Sequence, residues 1–360
     1  MRQTITISAT VSALMLLAPA AIGRQATSFK NVKVLTGLSD IEFDDAMMYM
    51  RGSLGVQCEH CHDEKDWSLD TKEPKKTARR MIQMVRDIIR TLGDDLAESC
   101  YSCHRGQLKA ATMLPLLTER PSAVTTVVKE TAASKAMRAD DILRRYLEAS
   151  GGPAWSRVTT RVVKGRLVTS EPAIYPAEIY YKAPGAYRSR ILVDGKPFTK
   201  IYDGTRGWNA DNRGANEAHG PELERLKRLA VFSLPMALPQ FYPSLTVEGE
   251  ATIAGERVYV LSPPVARRPE PEAHPEPGVR SPQADRLFFN ATSGLLVRIE
   301  STTVSPLGAL PRRWDYEDYR KLDGVRLPFK MRETDPDYTY LWEFSTVKQN
   351  VPVDAALFAP

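Results

Sequence analysis

Two short motifs constrain this chain more than any other feature of its sequence. The stretches Cys58–His62 (CEHCH) and Cys100–His104 (CYSCH) share the pattern Cys-x-x-Cys-His and contain all four cysteines. Two thiols at this spacing can add across the vinyl groups of a haem, and the histidine after the second thiol can coordinate the iron. The motifs therefore predict two covalently attached c-type haems. The predicted attachment sites are Cys58, Cys61, Cys100 and Cys103, and the predicted iron ligands are His62 and His104.

A four-thiolate zinc site and a pair of disulfides are the other uses of four cysteines. The two Cys-x-x-Cys pairs lie further apart than in usual zinc ribbons, and a four-thiolate site would leave the histidine after each pair without a role. Two disulfides would stabilise the fold little, because closing such short loops removes little entropy from the unfolded chain. Haem attachment is therefore the favoured interpretation.

The N-terminus has the pattern of a secretory signal peptide. Arg2 supplies a positive charge, an apolar stretch covers residues 5–17, and small residues that suit a cleavage site follow. We therefore predict a signal peptide over residues 1–23 and a periplasmic location.

Apolar periodicity predicts an all-α unit over residues 24–118. A capping-box pattern at residues 39–42 opens a helix that should end near Gly52. The apolar face of this helix would hold Phe43, Met47, Met50 and Leu54.

A second helix is predicted over residues 74–93. Its start contains the basic cluster of residues 75–80, which is interpreted as a solvated first turn. Each Cys-x-x-Cys-His motif follows one of the two helices, so the unit repeats the order of helix and haem motif.

The apolar period changes from helical to alternating after a predicted linker over residues 119–136. Residues 137–360 are expected to form a curved antiparallel β half-barrel with helices against it. A Pro-rich segment over residues 263–282 is predicted to be an exposed insertion. The fold class is therefore α+β with two domains. Strands are predicted over residues 158–169, 177–182, 187–193, 198–202, 245–248, 257–261, 286–289, 295–302, 314–319 and 338–344, and helices over 136–147, 221–232 and 235–241.

The supply of histidines narrows the choice of the sixth iron ligands. The chain has five histidines. Besides His62 and His104, His60 lies inside a motif, whereas His219 and His274 lie in the β-rich region. Methionine is then the remaining soft ligand for both irons.

The helical unit is rich in methionine around both motifs. Met47 and Met50 share the apolar face of the first helix and are favoured over Met48. Met81 and Met84 are equivalent candidates on the second helix. Most methionines in proteins pack in the core and bind no metal, so any one of these candidates can have that role instead.

The N-terminal unit resembles the cytochrome c subunit of photosynthetic reaction centres. The resemblance covers residues 28–108 and rests on residues 31–35, 41–43, Met47 and the first motif, followed by residues 78–81 and 100–106. It implies Met47 as the sixth ligand of the first haem and Met81 as that of the second. The family usually has two such pairs of motifs, whereas this chain has one. The segment between Met81 and Cys100 is also shorter than in the family, so Met84 stays an alternative.

Residues 137–360 resemble, more loosely, the half-barrel of outer-membrane lipoprotein carriers. The cues are Gly151-Gly152, a strand beginning at Val158, and the segments 183–188 and 202–208. In that fold the concave face holds an acyl chain or another apolar ligand, so the resemblance implies a possible apolar ligand here.

Together these features predict a periplasmic dihaem c-type cytochrome. His–Met ligation would saturate both irons, which favours electron transfer over catalysis. The expected electron donor and acceptor are redox proteins or a membrane complex. The net charge of +5 is not concentrated in a long basic run, so no nucleic-acid partner is expected. A dihaem peroxidase or oxidoreductase, and a lipid- or quinone-binding module with redox-sensing haems, are the alternatives.

Overall fold

The computed structural model describes residues 29–92, 99–110, 128–169, 173–231, 233–264, 285–305, 307–336 and 338–360. The predicted signal peptide lies outside the described residues, as do the first half of the predicted linker and nearly all of the Pro-rich insertion. None of the described helices is long and apolar enough to cross a membrane.

Helices occupy the N-terminal region where the periodicity predicts them. Helix α1 spans Asp40–Leu54 and helix α2 spans Glu73–Leu92, while a short helix α3 covers Cys100–His104. The Oγ atom of Ser39 accepts from the backbone N–H of Glu42, and the Glu42 carboxylate accepts from the N–H of Ser39 at 2.8 Å. Helix α1 continues through Gly52 and ends at Gly55, whose φ of +62° is left-handed.

Helix α1 buries a different face from the predicted one. The residues predicted to pack, namely Phe43, Met47, Met50 and Leu54, are only partly buried. The buried residues of the helix are Asp45, Ala46, Tyr49 and Ser53. At 3.6 residues per turn the centres of the two faces are about 115° apart. The predicted stripe is therefore left partly open to solvent.

The buried face of α1 lies on the β-sheet. Ala46 and Tyr49 share a core cluster with Leu307 and Leu310. A side chain at Gly308 would lie 2.5 Å from the Tyr49 ring, so the glycine is required for this approach.

A buried ion cluster joins the same helix to the sheet side of the molecule. The Asp45 carboxylate accepts from Arg225 at 2.6 Å and from Arg312 at 3.1 Å. The Asp45 side chain is 7% exposed, and a buried carboxylate of this kind requires paired cations.

The described residues from 160 onwards contain one curved antiparallel sheet of thirteen strands. The strand order is β6-β5-β4-β3-β2-β1-β13-β12-β11-β10-β9-β8-β7, so the last strand pairs with the first and all other pairs are sequential hairpin neighbours. The strands are β1 (Thr160–Thr169), β2 (Ile174–Lys182), β3 (Ala186–Val193), β4 (Lys196–Tyr202), β5 (Gly207–Asp211), β6 (Gly214–Ala218), β7 (Thr246–Ile253), β8 (Glu256–Ser262), β9 (Arg286–Asn290), β10 (Leu296–Ser305), β11 (Gly308–Leu322), β12 (Val325–Thr334) and β13 (Thr339–Gln349).

Further helices pack against this sheet. The helices of the β-rich region are α5 (Ala139–Ser150), α6 (Gly220–Leu229) and α7 (Leu234–Phe241), and a short helix α4 (Ala132–Ala136) precedes them. Ile142 of α5 and Leu238 of α7 pack with Phe289 on β9. Leu226 of α6 packs with Val163 and Tyr187 in a second cluster.

Candidate functional site

The first Cys-x-x-Cys-His motif is a tight 3₁₀ turn that begins at Cys58. The backbone N–H groups of Cys61 and His62 donate to the Cys58 carbonyl at 3.2 and 2.9 Å. Both thiols are partly buried. Burial raises the pKa of the Cys61 thiol, so it is not set up as a thiolate nucleophile.

The imidazole of His62 is oriented by the loop that follows the motif. Its Nδ1 lies 2.9 Å from the carbonyl oxygen of Trp67. The Trp67 ring stacks on the imidazole with a centroid distance of 5.5 Å. A carbonyl oxygen can only accept, so Nδ1 carries the proton and Nε2 keeps a free lone pair. This is the orientation of a histidine prepared to bind a metal through Nε2.

A network of charges holds the loop between Asp63 and Lys72 in place. Asp70 accepts from Lys33 and Arg79, each at 2.8 Å. Asn31 donates to the Ser68 carbonyl at 2.6 Å. Hydrogen bonds from Arg79 and Lys33 hold the pKa of Asp70 well below its usual range.

The interpretation of residues 75–80 as a solvated first turn is wrong in part. Lys75 is buried and donates to the carbonyls of Trp67 and Leu69 at 2.7 and 2.9 Å. Arg79 also faces inwards, towards Asp70, whereas Lys76 and Arg80 are exposed. Sequence alone gave no signal for Lys75, because its acceptors are backbone carbonyls of a loop.

The second motif forms helix α3 and ends at Arg105, which has a left-handed φ of +50°. The Nδ1 atom of His104 lies 3.1 Å from the Gln107 carbonyl, so this histidine also presents its Nε2 atom. Burial raises the pKa of the Cys100 thiol, while Cys103 is exposed. In both motifs, therefore, a hydrogen bond from Nδ1 to a backbone carbonyl a few residues downstream fixes the histidine tautomer.

The end of α1 brings the two motifs together. The N–H of Gly106 donates to the Ser53 carbonyl at 2.9 Å. A side chain at Gly55 would lie 2.1 Å from the Gly106 carbonyl oxygen, so the two glycine backbones are in direct contact. Gly55 and Cys58 are three positions apart in the chain, as are Cys103 and Gly106. At about 3.6 Å per residue, the Cα atoms of those two cysteines are within about 30 Å of each other.

The candidate methionines differ in their exposure. Met47, Met48 and Met50 are partly buried against the core beneath α1. Met81 and Met84 are 42% and 45% exposed. Both therefore remain available as ligands.

Large exposed apolar side chains lie between the two motifs in sequence, within the second motif and just after it. The set consists of Trp67, Leu69, Met81, Met84, Tyr101 and Leu108, each at least 42% exposed. Two oriented imidazoles, paired thiols and exposed thioethers are the donor set that c-type haems use. The residues present therefore fit two covalently attached haems.

The structure does not assemble the alternative uses of the cysteines. All four thiols are free. Within the described part of the chain, no three or more His, Cys, Asp or Glu side chains converge as a metal site. Neither the zinc site nor the disulfide pair is therefore formed.

A cavity of about 1400 Å³ lies between the sheet, helices α5 to α7 and the N-terminal end of α1. Its lining combines charged side chains, such as Lys200 and Glu222, with aromatic ones, which include Tyr146, Trp155, Tyr181, Tyr187, Tyr316 and Trp342. Arg161 lies between the rings of Trp155 and Tyr181, at 5.2 and 5.7 Å. Burial lowers the pKa of its guanidinium to about 10. Residues 39–42 of α1 and its cap line the mouth.

Comparison with known proteins separates the two parts of the chain. Residues 5–158 match the sequence family described as the photosynthetic reaction centre cytochrome C subunit. Cytochrome c-554 of Chloroflexus aurantiacus is 39% identical over 59 residues, which are 16% of this chain and 14% of that protein. The reaction centre cytochrome c subunit of Roseobacter denitrificans is 33% identical over 90 residues, which are 22% of this chain and 24% of that protein. The matches thus span less than a quarter of the length of these relatives.

Solved structures match the β-rich part. A LolA superfamily protein from Nitrosomonas europaea covers 62% of this chain and 98% of its own length, with a TM-score of 0.42 and 15% identity. A DUF1329 family protein from Desulfovibrio piger covers 61% of this chain and 96% of its own, with a TM-score of 0.42 and 12% identity. The similarity that bears on the two Cys-x-x-Cys-His motifs is that of the sequence family: the N-terminal part of this chain is similar to the cytochrome c subunit of photosynthetic reaction centres.

Proposed function

We propose that this protein is an exported, periplasmic c-type cytochrome that transfers electrons through two haems. One observation carries the proposal. In both Cys-x-x-Cys-His motifs the histidine Nδ1 lies within hydrogen-bond distance of a downstream carbonyl, at 2.9 and 3.1 Å, which leaves Nε2 for iron. The N-terminal similarity to reaction centre cytochrome subunits supports the same function.

Each group of residues has a separate role in this proposal. The thiols of Cys58 and Cys61 attach one haem, and those of Cys100 and Cys103 attach the other. His62 and His104 bind the irons from one side. Haem iron supplies one-electron exchange between its ferric and ferrous states. The backbone contact between Gly55 and Gly106 holds the two attachment sites near each other.

Methionines complete the proposed ligand sets. Met47 is proposed for the first haem and Met81 for the second, with Met50 and Met84 as the alternatives. The open stripe on α1 and the exposed thioethers of α2 support this choice. If one histidine and one methionine bound each iron, no ligand position would be left for oxygen or peroxide, so the protein is proposed to be a carrier rather than a peroxidase. Its donor and acceptor are proposed to be redox proteins or a membrane complex.

Substitution of the methionines tests the proposed ligation. In the holoprotein, Met47→Ala and Met81→Ala are each expected to convert one of two low-spin haems to a high-spin or water-bound form. The weak absorption band at the red end, which reports the Met–Fe bond, should fall by about half in each variant, since each removes one of two such bonds. Met48→Ala is the matched control and should leave both haems low-spin. High-spin haem in the unmodified protein would contradict the carrier function and favour the peroxidase. An effect of Met50→Ala or Met84→Ala instead would reassign the ligand.

A binding function is proposed for the β-rich part as well. The cavity of about 1400 Å³, with aromatic and charged side chains in its lining, favours a molecule with an apolar body and a polar end, such as a lipid or a quinone. Organic extracts of the purified holoprotein should then contain such a molecule in near-stoichiometric amount by mass spectrometry. The double variant Trp155→Ala/Tyr187→Ala, which removes two aromatic side chains from the lining, should reduce the amount of bound lipid or quinone. An extract with no lipid or quinone, combined with no uptake from detergent-dispersed lipid, would contradict this function.

A further inference from the structure

The carbonyl group that orients His62 is shared with a buried lysine. The Nζ atom of Lys75 donates to the Trp67 carbonyl at 2.7 Å, and His62 Nδ1 donates to the same oxygen at 2.9 Å. The Lys75 side chain is only 11% exposed. Two protein donors, one of them an ammonium, therefore converge on a single acceptor behind the proposed iron ligand.

The surroundings of Lys75 keep it in this position. It also donates to the Leu69 carbonyl at 2.9 Å and lies 3.7 Å from the Asp70 carboxylate. That carboxylate is closer to Lys33 and Arg79, at 2.8 Å each, so its charge is shared with two other cations. One carboxylate thus faces three cations, and Asp66 is a second carboxylate that acts electrostatically on Lys75.

An ammonium on this carbonyl changes what the histidine can give to the iron. When the Nδ1–H bond to its acceptor strengthens, the ring gains imidazolate character and becomes a better donor to ferric iron. Lys75 draws electron density from the oxygen and so weakens it as an acceptor for His62. A histidine that donates less electron density to the iron, together with a nearby positive charge, favours ferrous over ferric iron.

The second motif has the same hydrogen bond from the histidine to a backbone carbonyl, but no ammonium group shares that carbonyl. His104 Nδ1 lies 3.1 Å from the Gln107 carbonyl. In the part of the chain that the structure describes, no lysine or arginine donates to that carbonyl. The two proposed haems are therefore inequivalent in the hydrogen bonding behind their histidines.

We propose that Lys75, acting through the Trp67 carbonyl, raises the reduction potential of the haem at Cys58 and Cys61 above that of the haem at Cys100 and Cys103. Lys75 is a positioning residue here, since it touches neither the iron ligand nor the haem. This inference rests on the proposed dihaem function. It adds a prediction about the direction of electron transfer: the first electron would reside on the haem at Cys58 and Cys61.

Redox titration of holoprotein variants tests the inference. Lys75→Met removes the ammonium and keeps most of the side-chain volume. Lys75→Arg keeps the charge and the ability to donate. Lys72→Met is the matched control, because Lys72 donates to the Glu59 carbonyl inside the same motif and carries the same charge.

Only the higher of the two one-electron steps should respond to Lys75. In Lys75→Met the ferric-to-ferrous ratio of that step at fixed potential should rise roughly tenfold, which is a fall in potential of ~59 mV. Lys75→Arg should restore most of the potential, and Lys72→Met should change it far less. The ¹⁵N shift of His62 Nδ1 in the ferrous protein should move towards the imidazolate value in Lys75→Met alone, which a purely structural role of Lys75 would not cause.

The outcomes separate this inference from the function on which it rests. A holoprotein with two haems whose upper step does not move in Lys75→Met would overturn the role of Lys75 and leave the carrier function intact. Equal shifts of both steps, or equal effects of Lys72→Met and Lys75→Met, would overturn the route through the carbonyl. Failure of the unmodified chain to attach two haems would overturn both.

Discussion

At the scale of single residues, a backbone carbonyl rather than a side chain orients each histidine that is a candidate iron ligand. The Cys-x-x-Cys-His spacing names His62 and His104 directly, because the side chains themselves form the pattern. Their partners are backbone carbonyls of Trp67 and Gln107. Any residue can supply a carbonyl, so no residue type marks these positions in advance. Lys75 was missed for the same reason.

Gly55 gives a residue-scale prediction about the contact between the motifs. Gly55→Ala places a methyl group where the Gly106 carbonyl lies, at 2.1 Å, and forces alanine into a left-handed φ of +62°. We expect the free energy of unfolding of the holoprotein to fall by about 2–4 kcal/mol, of which about 1 kcal/mol comes from the backbone conformation and the rest from overpacking. Denaturant titration followed by tryptophan fluorescence measures this loss.

Gly37→Ala is the matched control for Gly55→Ala. Gly37 also has a positive φ, +80°, but nothing lies within 4 Å of a side chain at that position. Its substitution should cost only about 1 kcal/mol. Equal losses in the two variants would show that the contact between Gly55 and Gly106 is not part of what holds the motifs together.

At the scale of elements, local signals predicted where helices begin more accurately than which face they bury. The capping box at Ser39 and Glu42 is a local hydrogen-bond pattern, so the start of α1 was predicted correctly. The buried face was predicted only in part. Phe43, Met47 and Met50 pack against the core, but the sheet, through Gly308 and the ion cluster at Asp45, buries the side of Asp45 and Tyr49 more deeply. Such contacts are remote in sequence, and periodicity carries no information about them.

The strands show the same limit. Most strands with a clear alternation were predicted, with ends shifted by a few residues. Strands β5, β6 and β12 were missed. Strand β6 has the sequence GANEA and lies at the sheet edge, where pairing with β5 rather than apolar alternation makes it a strand. Strand β12 contains Pro328, a residue that disfavours strand assignment.

At the scale of the whole molecule, the helical and β-rich parts are in contact through α1. Its buried face packs on Leu307 and Leu310, and its N-terminal end lines the mouth of the large cavity. The boundaries predicted at residues 118 and 137 stay predictions. A shared helix means that an occupant of the cavity would contact the element that carries Met47. Composition and periodicity did not predict this arrangement, because it depends on packing between segments more than 250 residues apart.

The number of haems per chain tests the central claim most directly. Intact-mass spectrometry of denatured protein, expressed with a c-type haem attachment system, measures covalently bound haem one chain at a time. We expect a mass increase of two haems in the unmodified protein. Two double variants each remove the thiols of one motif and should each retain one haem. They are Cys58→Ala/Cys61→Ala and Cys100→Ala/Cys103→Ala. An unmodified chain whose mass shows no attached haem would contradict the account of a dihaem electron carrier. So would an unmodified chain with a single haem that only one of the two double variants retains.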